Sequence, residues 1–222
     1  GGSNIILDSS GNAFSNAVTL RADAGDETFG NITFVDSGAV RLHSSAGADG
    51  DLYINAGTDG AVGGNLSITA TTGNITQGVA LAVGGTSTFI TSANDATITL
   101  ATDSNAFTGA LLITTNDSGT DTAGDVSIDG GTTGLIMGLS TIDGDLALRS
   151  GAAITDTGVA TVRGTLSATT DAGDSAITLN QLEVNGTVAL ATNGRGNATV
   201  VNDAGLNFAT STVGGNLTAT AT

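Results

Sequence analysis

Paired aspartates are the residues of this sequence best suited to binding a ligand. They lie in short polar strings that are typical of turns, at Asp23/Asp26, Asp49/Asp51, Asp117/Asp121, Asp143/Asp145 and Asp171/Asp174. Calcium takes carboxylate oxygens of this kind as ligands. None of the pairs, however, lies in the Gly-Gly-x-Gly-x-Asp repeat of calcium-binding β-rolls or in an EF-hand loop. Because Asp and Gly also form ordinary turns, we expect no bound cofactor, with calcium at these Asp-rich turns as the open alternative.

Side chains for acid–base or nucleophilic catalysis are scarce. His43 is the single histidine, and the chain contains no cysteine. The arginines supply all the positive charge and are scattered, at Arg21, Arg41, Arg149, Arg163 and Arg195. Carbohydrate-cleaving enzymes use converging acidic residues in a groove with aromatic side chains, whereas Tyr53 is the only tyrosine here. We therefore expect no catalytic, cofactor-binding or metal site, and we place His43 on the surface of a strand.

The composition favours a thin β-structure and disfavours several classes of partner. Among 222 residues there are 34 Gly but no Pro and no Trp. A sandwich or barrel would use Pro at sheet edges and large aromatic side chains between its sheets. The net charge of −16 repels nucleic acid and anionic membranes. We expect neither a nucleic-acid partner nor insertion into a membrane.

An apolar-x-Gly-x-apolar-x-apolar pattern recurs along the chain and indicates its organisation. Its glycines are Gly30, Gly50, Gly64, Gly85, Gly109, Gly124, Gly144, Gly164, Gly186 and Gly215. Most are separated by about 20 residues, a period that indicates stacked units rather than one closed globule. Some gaps are clearly shorter or longer, and we interpret these outliers as coils with trimmed or lengthened turns. Apolar and polar residues alternate within each copy, as they do in a strand.

These features predict an all-β parallel β-helix, or β-solenoid, with about 20 residues per coil and roughly 11 coils. In such a fold, each coil satisfies the backbone N–H and C=O groups of the next coil. Equivalent apolar side chains should then stack along the axis. We expect Leu146 over Leu166 over Val188, and Leu52 over Leu66.

The alternative architecture is a tandem array of immunoglobulin-like adhesin domains. One observation supports this alternative: the sequence that begins at Asn12 is nearly repeated at Asn105. That interval is close to the length of one such domain, about 100 residues. The short glycine period and the absence of Pro argue against it. Because no change of composition marks a domain boundary, we expect one continuous solenoid segment over residues 1–222, excised from a much larger repeat protein.

Three weaker motifs favour structural roles. Thr-x-Thr strings occur at Thr69/Thr71, Thr97/Thr99 and Thr218/Thr220/Thr222. Regular Thr ladders on a flat solenoid face can bind ice, but the irregular spacing of these strings favours solvated strand faces. Glycosylation sequons at Asn31, Asn65, Asn74, Asn197 and Asn216 fall on strands and carry little weight. The recurring phenylalanines are expected in the core, at Phe14, Phe107 and Phe208.

Several segments resemble a known family. The repeats of filamentous-haemagglutinin-like exoproteins are similar to residues 64–70 (GNLSITA), 73–77 (GNITQ) and 81–86 (LAVGGT). The same sequence pattern recurs after Ile154 and after Leu206. The resemblance implies a right-handed parallel β-helix in a large bacterial adhesin of the two-partner-secretion type. It also implies a secreted or cell-surface location. The Asn-Pro motifs of that family's secretion domain have no counterpart, because the chain contains no Pro.

We therefore expect a structural and adhesive shaft of a large secreted surface protein or extracellular filament, without catalytic activity. Glycans or proteins of a host cell, a neighbouring cell or the matrix would bind to other regions. One alternative is a carbohydrate-active β-helix lyase or hydrolase, which needs a groove with three or more converging carboxylates and an exposed aromatic side chain. Another alternative is a fibre subunit whose open coils associate end to end with further copies.

Overall fold

The structure, a computed structural model, describes residues 3–15, 18–20, 30–43, 51–54, 61–116 and 123–222, with only the backbone described for residues 43, 51–54 and 61. Within these ranges the regular structure is β-strand, without helix. The strands are β1 (Ile5–Leu7), β2 (Val18–Leu20), β3 (Ile32–Asp36), β4 (Val40–His43), β5 (Asp51–Ile54), β6 (Ala61–Val62), β7 (Leu66–Ala70), β8 (Ile75–Gln77), β9 (Ala82–Val83), β10 (Ser87–Thr91), β11 (Ile98–Leu100), β12 (Ala106–Phe107), β13 (Leu111–Thr114), β14 (Val126–Asp129), β15 (Leu135–Met137), β16 (Ser140–Ile142), β17 (Leu146–Ser150), β18 (Ile154–Asp156), β19 (Ala160–Val162), β20 (Leu166–Thr170), β21 (Ile177–Val184), β22 (Thr187–Ala191), β23 (Ala198–Asn202), β24 (Asn207–Phe208) and β25 (Leu217–Ala221).

These strands form two long sheets and one small sheet. Sheet A contains β1, β3, β7, β10, β13, β15, β16, β18, β19, β21, β23 and β25. Sheet B has the order β2-β5-β4-β8-β11-β14-β17-β20-β22-β24, and sheet C contains β6, β9 and β12. The pairings are parallel, and from β7 onward the chain alternates between sheets A and B. The predicted all-β parallel β-solenoid is confirmed.

The coils are fewer and longer than the sequence predicts. The interval between paired residues of sheet A also varies, because Leu135 pairs with Ile154 whereas Leu111 pairs with Met137. A wider step joins β3 to β7, where Ile32 pairs with Leu66. The residues that the structure describes form about 7 turns with about 22 residues per coil, so the predicted count of roughly 11 coils is wrong. The additional residues lie in corners and in the short strands between the main ones.

The glycine markers do not all belong to one face. Gly64, Gly85 and Gly109 precede strands of sheet A, whereas Gly124 and Gly144 precede strands of sheet B. The short gap between Gly109 and Gly124 is therefore a change of face. The long gap between Gly186 and Gly215 is a second change of face, because the strand after Gly215 belongs to sheet A again. These outliers are not trimmed or lengthened turns, and this explains why the marker interval underestimates the coil.

The core is a set of apolar columns that run along the solenoid axis. Leu146 pairs with Leu166, and Leu166 pairs with Val188, as predicted. All three side chains are at most 1% exposed. The predicted stack of Leu52 over Leu66 is wrong, because Leu52 belongs to sheet B and Leu66 to sheet A. Side chains alternate between buried and partly exposed along the strands, so each strand contributes every second residue to these columns.

Sheet A divides into two strands per coil after β13. Leu111 of β13 pairs with Met137 of β15, and Thr114 pairs with Thr141 of β16. Leu139, between the two short strands, is 68% exposed. The next coil repeats this arrangement in β18 and β19, and β21 then joins the two positions in one strand. The outer surface of this division bears a groove that is described below.

Candidate functional site

Asparagine side chains link successive coils at the start of the strands of sheet A. The Oδ1 atom of Asn4 accepts a hydrogen bond from the backbone N–H of Asn31, at 3.0 Å. Asn31 accepts from the N–H of Asn65, and Asn65 accepts from the N–H of Thr86, both at 2.8 Å. Asn197 and Asn216 repeat the contact at 2.8 Å. These residues include four of the five predicted sequons, and each lies immediately before a strand of sheet A, not on the strand as predicted.

Sheet B has an equivalent ladder that includes aspartates. Asn74 Oδ1 accepts from the N–H of Thr97 at 2.9 Å. Asp125 Oδ1 accepts from the N–H of Asp145 at 2.8 Å, and Asp145 Oδ1 accepts from the N–H of Thr165 at 2.6 Å. We call these side chain-to-backbone series the Asx ladders of sheets A and B. Each one satisfies an N–H group that lies beyond the end of the regular strand pairing.

Several aspartates of the predicted calcium turns have protein partners instead. Asp174 Oδ1 accepts from the N–H of Arg195 at 2.7 Å. Asp171 Oδ2 lies 2.7 Å from Nε of Arg149. Asp143, only 6% exposed, forms an ion pair with Arg163. Its other oxygen, Oδ2, has no hydrogen-bond partner among the described residues.

In the part of the chain that the structure describes, no three His, Cys, Asp or Glu residues come together as a metal-binding group. Three of the predicted aspartate pairs lie outside the described side chains, namely Asp23/Asp26, Asp49/Asp51 and Asp117/Asp121. Calcium at the Asp-rich turns therefore stays a prediction at those positions. The described aspartates act mainly as acceptors of hydrogen bonds from the neighbouring coil along the axis, and as partners in ion pairs.

A shallow groove lies on the outside of the divided part of sheet A. Its volume is about 230 Å³, and it is lined by Val159, Asn180, Gln181, Leu182, Glu183, Val201, Asp203 and Thr222. Glu183 and Asp203 are its two carboxylates, and its lining contains no aromatic side chain. Neighbouring Asp156 accepts a hydrogen bond from the N–H of Gln181 at 2.7 Å.

Asp156 has a perturbed carboxyl group. Burial raises its pKa above the ordinary value of 3.8, because desolvation penalises the charged form. Hydrogen bonds from the backbone N–H groups of Gln181, Asn180 and Asp156 itself act in the opposite direction. Asp156 pairs in register with Met137, at an otherwise apolar position, which explains its burial.

The residues considered for catalysis do not converge in the described part of the chain. His43 ends β4 and pairs in register with Tyr53 of β5, although both side chains lie outside the described residues. Arg149 lies between Asp129 and Asp171, at 3.7 and 2.7 Å. Arg163 is bound to Asp143. These two arginines of sheet B are thus engaged in cross-coil ion pairs.

Two buried asparagines close corners of the solenoid, and the sequence analysis missed them. Asn202 Oδ1 accepts from the N–H of Val184 at 2.7 Å, and its Nδ2 donates to the C=O groups of Val184 at 3.0 Å and Gly205 at 3.1 Å. Asn105 accepts from the N–H of Leu81 and donates to the C=O of Leu100 and Asp129. For Asn202, the available signal was an Asn at the end of an apolar strand, in Val200-Val201-Asn202.

The outer face of sheet A brings threonines of different coils into register. Thr155 pairs with Thr178, Thr178 with Thr199, and Thr199 with Thr218. This column is regular in space although the Thr-x-Thr strings are irregular in sequence. The predicted phenylalanine positions differ from one another: Phe14 stacks on Phe34 with ring centres 5.2 Å apart, and Phe107 is buried, but Phe208 is 38% exposed.

Comparisons with known proteins give one family. Among the described residues, no helix has the length and apolar character needed to cross a membrane. Neither a search of curated proteins nor a search of solved structures finds a match. A family model described as repeats of unknown function (DUF5649) matches residues 29–114 and 123–191, which is more than half of the chain. The repeating β-solenoid described above therefore belongs to the DUF5649 repeat family.

Proposed function

We propose that this chain is a rigid, non-catalytic shaft within a large secreted bacterial surface protein. We base this proposal on the resemblance between the repeat pattern of this chain and that of filamentous-haemagglutinin-like exoproteins. We also propose that the chain lies at the cell surface. Binding to glycans or proteins of another cell or of the matrix is assigned to other regions. The observation that carries the proposal is the axial continuity of the molecule: apolar columns run from coil to coil, and the Asx ladders add hydrogen bonds between several of the same coils.

The physical argument for stiffness concerns how coils are joined. A bend between two coils would expose an apolar column such as Leu146–Leu166–Val188, whose members are almost fully buried. It would also break the hydrogen bonds from Thr165 to Asp145 and from Asp145 to Asp125. Burying one such apolar side chain contributes about 1.5 to 3 kcal/mol. Because many columns run in parallel, bending is opposed at every coil.

The outer surface of the described coils also favours a shaft over an enzyme. Along sheet B, the outward residues Ser127, Ala147, Ser167 and Ala189 pair in register and form a column of small side chains. The groove beside Glu183 and Asp203 has two carboxylates and no aromatic lining. The enzyme alternative calls for three converging carboxylates and an exposed aromatic side chain. This groove therefore offers little support for carbohydrate cleavage.

A deletion of one coil tests the proposal. Leu146 and Leu166 are equivalent positions of adjacent coils, so deleting residues 145–164 joins Gly144 to Thr165 in register. We expect a folded solenoid that is shorter by one strand spacing, about 4.8 Å, measured by small-angle X-ray scattering and circular dichroism. In the parent surface protein, the same deletion should leave binding to other cells unchanged.

A matched deletion of residues 145–154 serves as the control, because it removes about half a coil and puts apolar residues out of register. It should unfold the neighbouring coils. Antibodies to the chain should also label intact cells of the source organism. Loss of cell binding in the in-register deletion, or labelling only after the cells are opened, would contradict the proposal.

A further inference from the structure

Two Asn-Gly pairs occur in the chain, at Asn185-Gly186 and Asn193-Gly194. In such a pair the backbone nitrogen of the glycine can attack the side-chain carbonyl carbon of the asparagine, because glycine has no Cβ atom to hinder the approach. Both asparagines are exposed. The sequence therefore gives the two pairs the same chemistry, and their backbone surroundings must distinguish them.

The glycine of the first pair is held by the neighbouring coil. The N–H of Gly186 donates a 3.0 Å hydrogen bond to the C=O of Gly164. The two backbones are also in close contact, since a Cβ atom at Gly186 would lie 2.3 Å from the O of Gly164. An attack on Asn185 would break this hydrogen bond and rotate a peptide group that has no free space around it. The fold therefore protects the first pair.

The N–H of the second glycine is not held in this way. Asn193 and Gly194 are both exposed and lie in the corner between β22 and β23. The N–H of Gly194 has no acceptor among the described residues. Its φ of 64° is a conformation that suits glycine. The nitrogen of Gly194 can therefore react without the loss of a hydrogen bond.

We propose that Asn193 is a site of spontaneous deamidation, whereas Asn185 is protected. The nitrogen of Gly194 forms a bond to Cγ of Asn193, and the bond between Cγ and Nδ2 breaks. The proton of the Gly194 N–H leaves with Nδ2, which is released as ammonia. Water then opens the succinimide ring at one of its two carbonyl carbons. Opening at the backbone carbonyl carbon gives isoaspartate, and opening at Cγ gives aspartate.

The reaction removes one link between successive coils. Nδ2 of Asn193 donates to the C=O of Asp171 in the preceding coil, and a carboxylate cannot supply this donor. The C=O of Asn193 also accepts from the N–H groups of Asp174 and Gly196, at 3.0 and 3.2 Å. Isoaspartate inserts a methylene group into the main chain beside these bonds. Deamidation should therefore loosen this corner, whether or not the chain acts as the shaft proposed above.

Peptide mapping of the full chain during a long incubation at neutral pH is the first test. Trypsin cleaves after arginine, so residues 164–195 form one peptide that contains both Asn-Gly pairs. Fragment masses within this peptide assign the deamidation to one position or the other. We expect Asn193 to react about tenfold faster than Asn185, which is the change in rate that one hydrogen bond of about 1.4 kcal/mol produces.

The same chain unfolded in guanidinium chloride is the control. Without contacts between coils, both glycine nitrogens are accessible, and the two pairs should react at similar rates. If Asn185 reacts as fast as Asn193 in the folded chain, the contact with Gly164 gives no protection and the proposal is wrong. If neither pair reacts in the folded chain while both react in the unfolded one, the corner protects Asn193 too, which also overturns the proposal.

Two glutamine variants test the chemistry directly. Asn193→Gln keeps an amide but requires a six-membered ring, which forms far more slowly. It should remove most of the ammonia release from the folded chain, whereas the matched variant Asn185→Gln should leave the release unchanged. Equal release from Asn193→Gln and the parent chain would contradict the assignment. Asn193→Asp, which represents one product, should have a lower Tm than the parent, and an unchanged Tm would refute the loosening of the corner.

Discussion

The Oδ1 atom of Asp145 accepts a 2.6 Å hydrogen bond from the backbone N–H of Thr165, its equivalent one coil along the axis. Replacing Asp145 by Ala removes this acceptor, and we expect the free energy of unfolding to fall by about 0.5 to 1.5 kcal/mol. Asp145→Asn keeps an Oδ1 acceptor and removes a negative charge next to Asp125, so it should be at least as stable as the parent. Urea denaturation measures both. Equal losses in the two variants would show that the hydrogen bond is not the cause.

The column of Leu166 should be the part of the core most sensitive to truncation. Leu166 is fully buried between Leu146 and Val188. Leu166→Ala should lower the free energy of unfolding by about 2 to 5 kcal/mol, because it leaves a cavity between stacked coils. Ser167 on the outer face is the control, and Ser167→Ala should change stability by less than about 0.5 kcal/mol. A similar small effect at Leu166 would mean that the column is not packed as described.

The close approach of coils at Gly186 leaves no room for a side chain. A Cβ atom there would lie 2.3 Å from the O and 2.6 Å from the C of Gly164. Both are backbone atoms, so Gly186→Ala must displace a strand, and we expect a loss of about 1 to 3 kcal/mol. At Gly173 a Cβ would meet nothing within 4 Å, which makes Gly173→Ala the matched control. Thermal unfolding of the pair should show a lower Tm only for Gly186→Ala.

The buried network at Asn202 should be essential for closing the corner after β23. Asn202→Ala leaves the N–H and C=O of Val184 without their side-chain partner, and each buried unpaired group costs about 1 to 3 kcal/mol. We therefore expect a loss of at least about 2 kcal/mol. Hydrogen exchange of the Val184 amide should also become faster. Asn180, an exposed residue, is the control, since Asn180→Ala should not alter the exchange at Val184.

The raised pKa of Asp156 predicts a pH-dependent stability. Its folded-state pKa is above the ordinary 3.8 because burial disfavours the charge. The folded state therefore binds the proton more tightly, and stability is lost as the pH rises from about the ordinary value through the folded pKa. Asp156→Asn should match the parent under strongly acidic conditions and be more stable near neutral pH.

The control for that comparison is Asp8→Asn, which removes the same charge at an exposed position. Unfolding of both variants followed at several pH values measures the difference. If the two variants show the same pH dependence relative to the parent, general charge repulsion is responsible, and burial of Asp156 is not.

The sequence alone determined the fold class, because the signal for it is local. Alternation at period two specified strands, and the recurring glycine pattern specified stacking of coils. The column Leu146–Leu166–Val188 followed directly, since three consecutive markers, Gly144, Gly164 and Gly186, precede strands of the same sheet. Where the markers change face, as between Gly109 and Gly124, the sequence shows only a short gap, which is equally compatible with a trimmed turn, and the predicted coil count and the predicted pairing of Leu52 were wrong.

Only the tertiary structure decided what the polar residues do. An Asp before a strand is equally compatible with a turn former and a calcium ligand, and its partner depends on which residue lies one coil away. That offset varies from coil to coil between β7 and β25, so a pair such as Asn202–Val184 could not be derived from spacing. The same offsets place Thr155, Thr178, Thr199 and Thr218 in one column. Apolar residues need only to share the interior of the solenoid. A hydrogen bond instead needs one particular partner at about 3 Å, and that distance depends on the path of the chain around one whole coil.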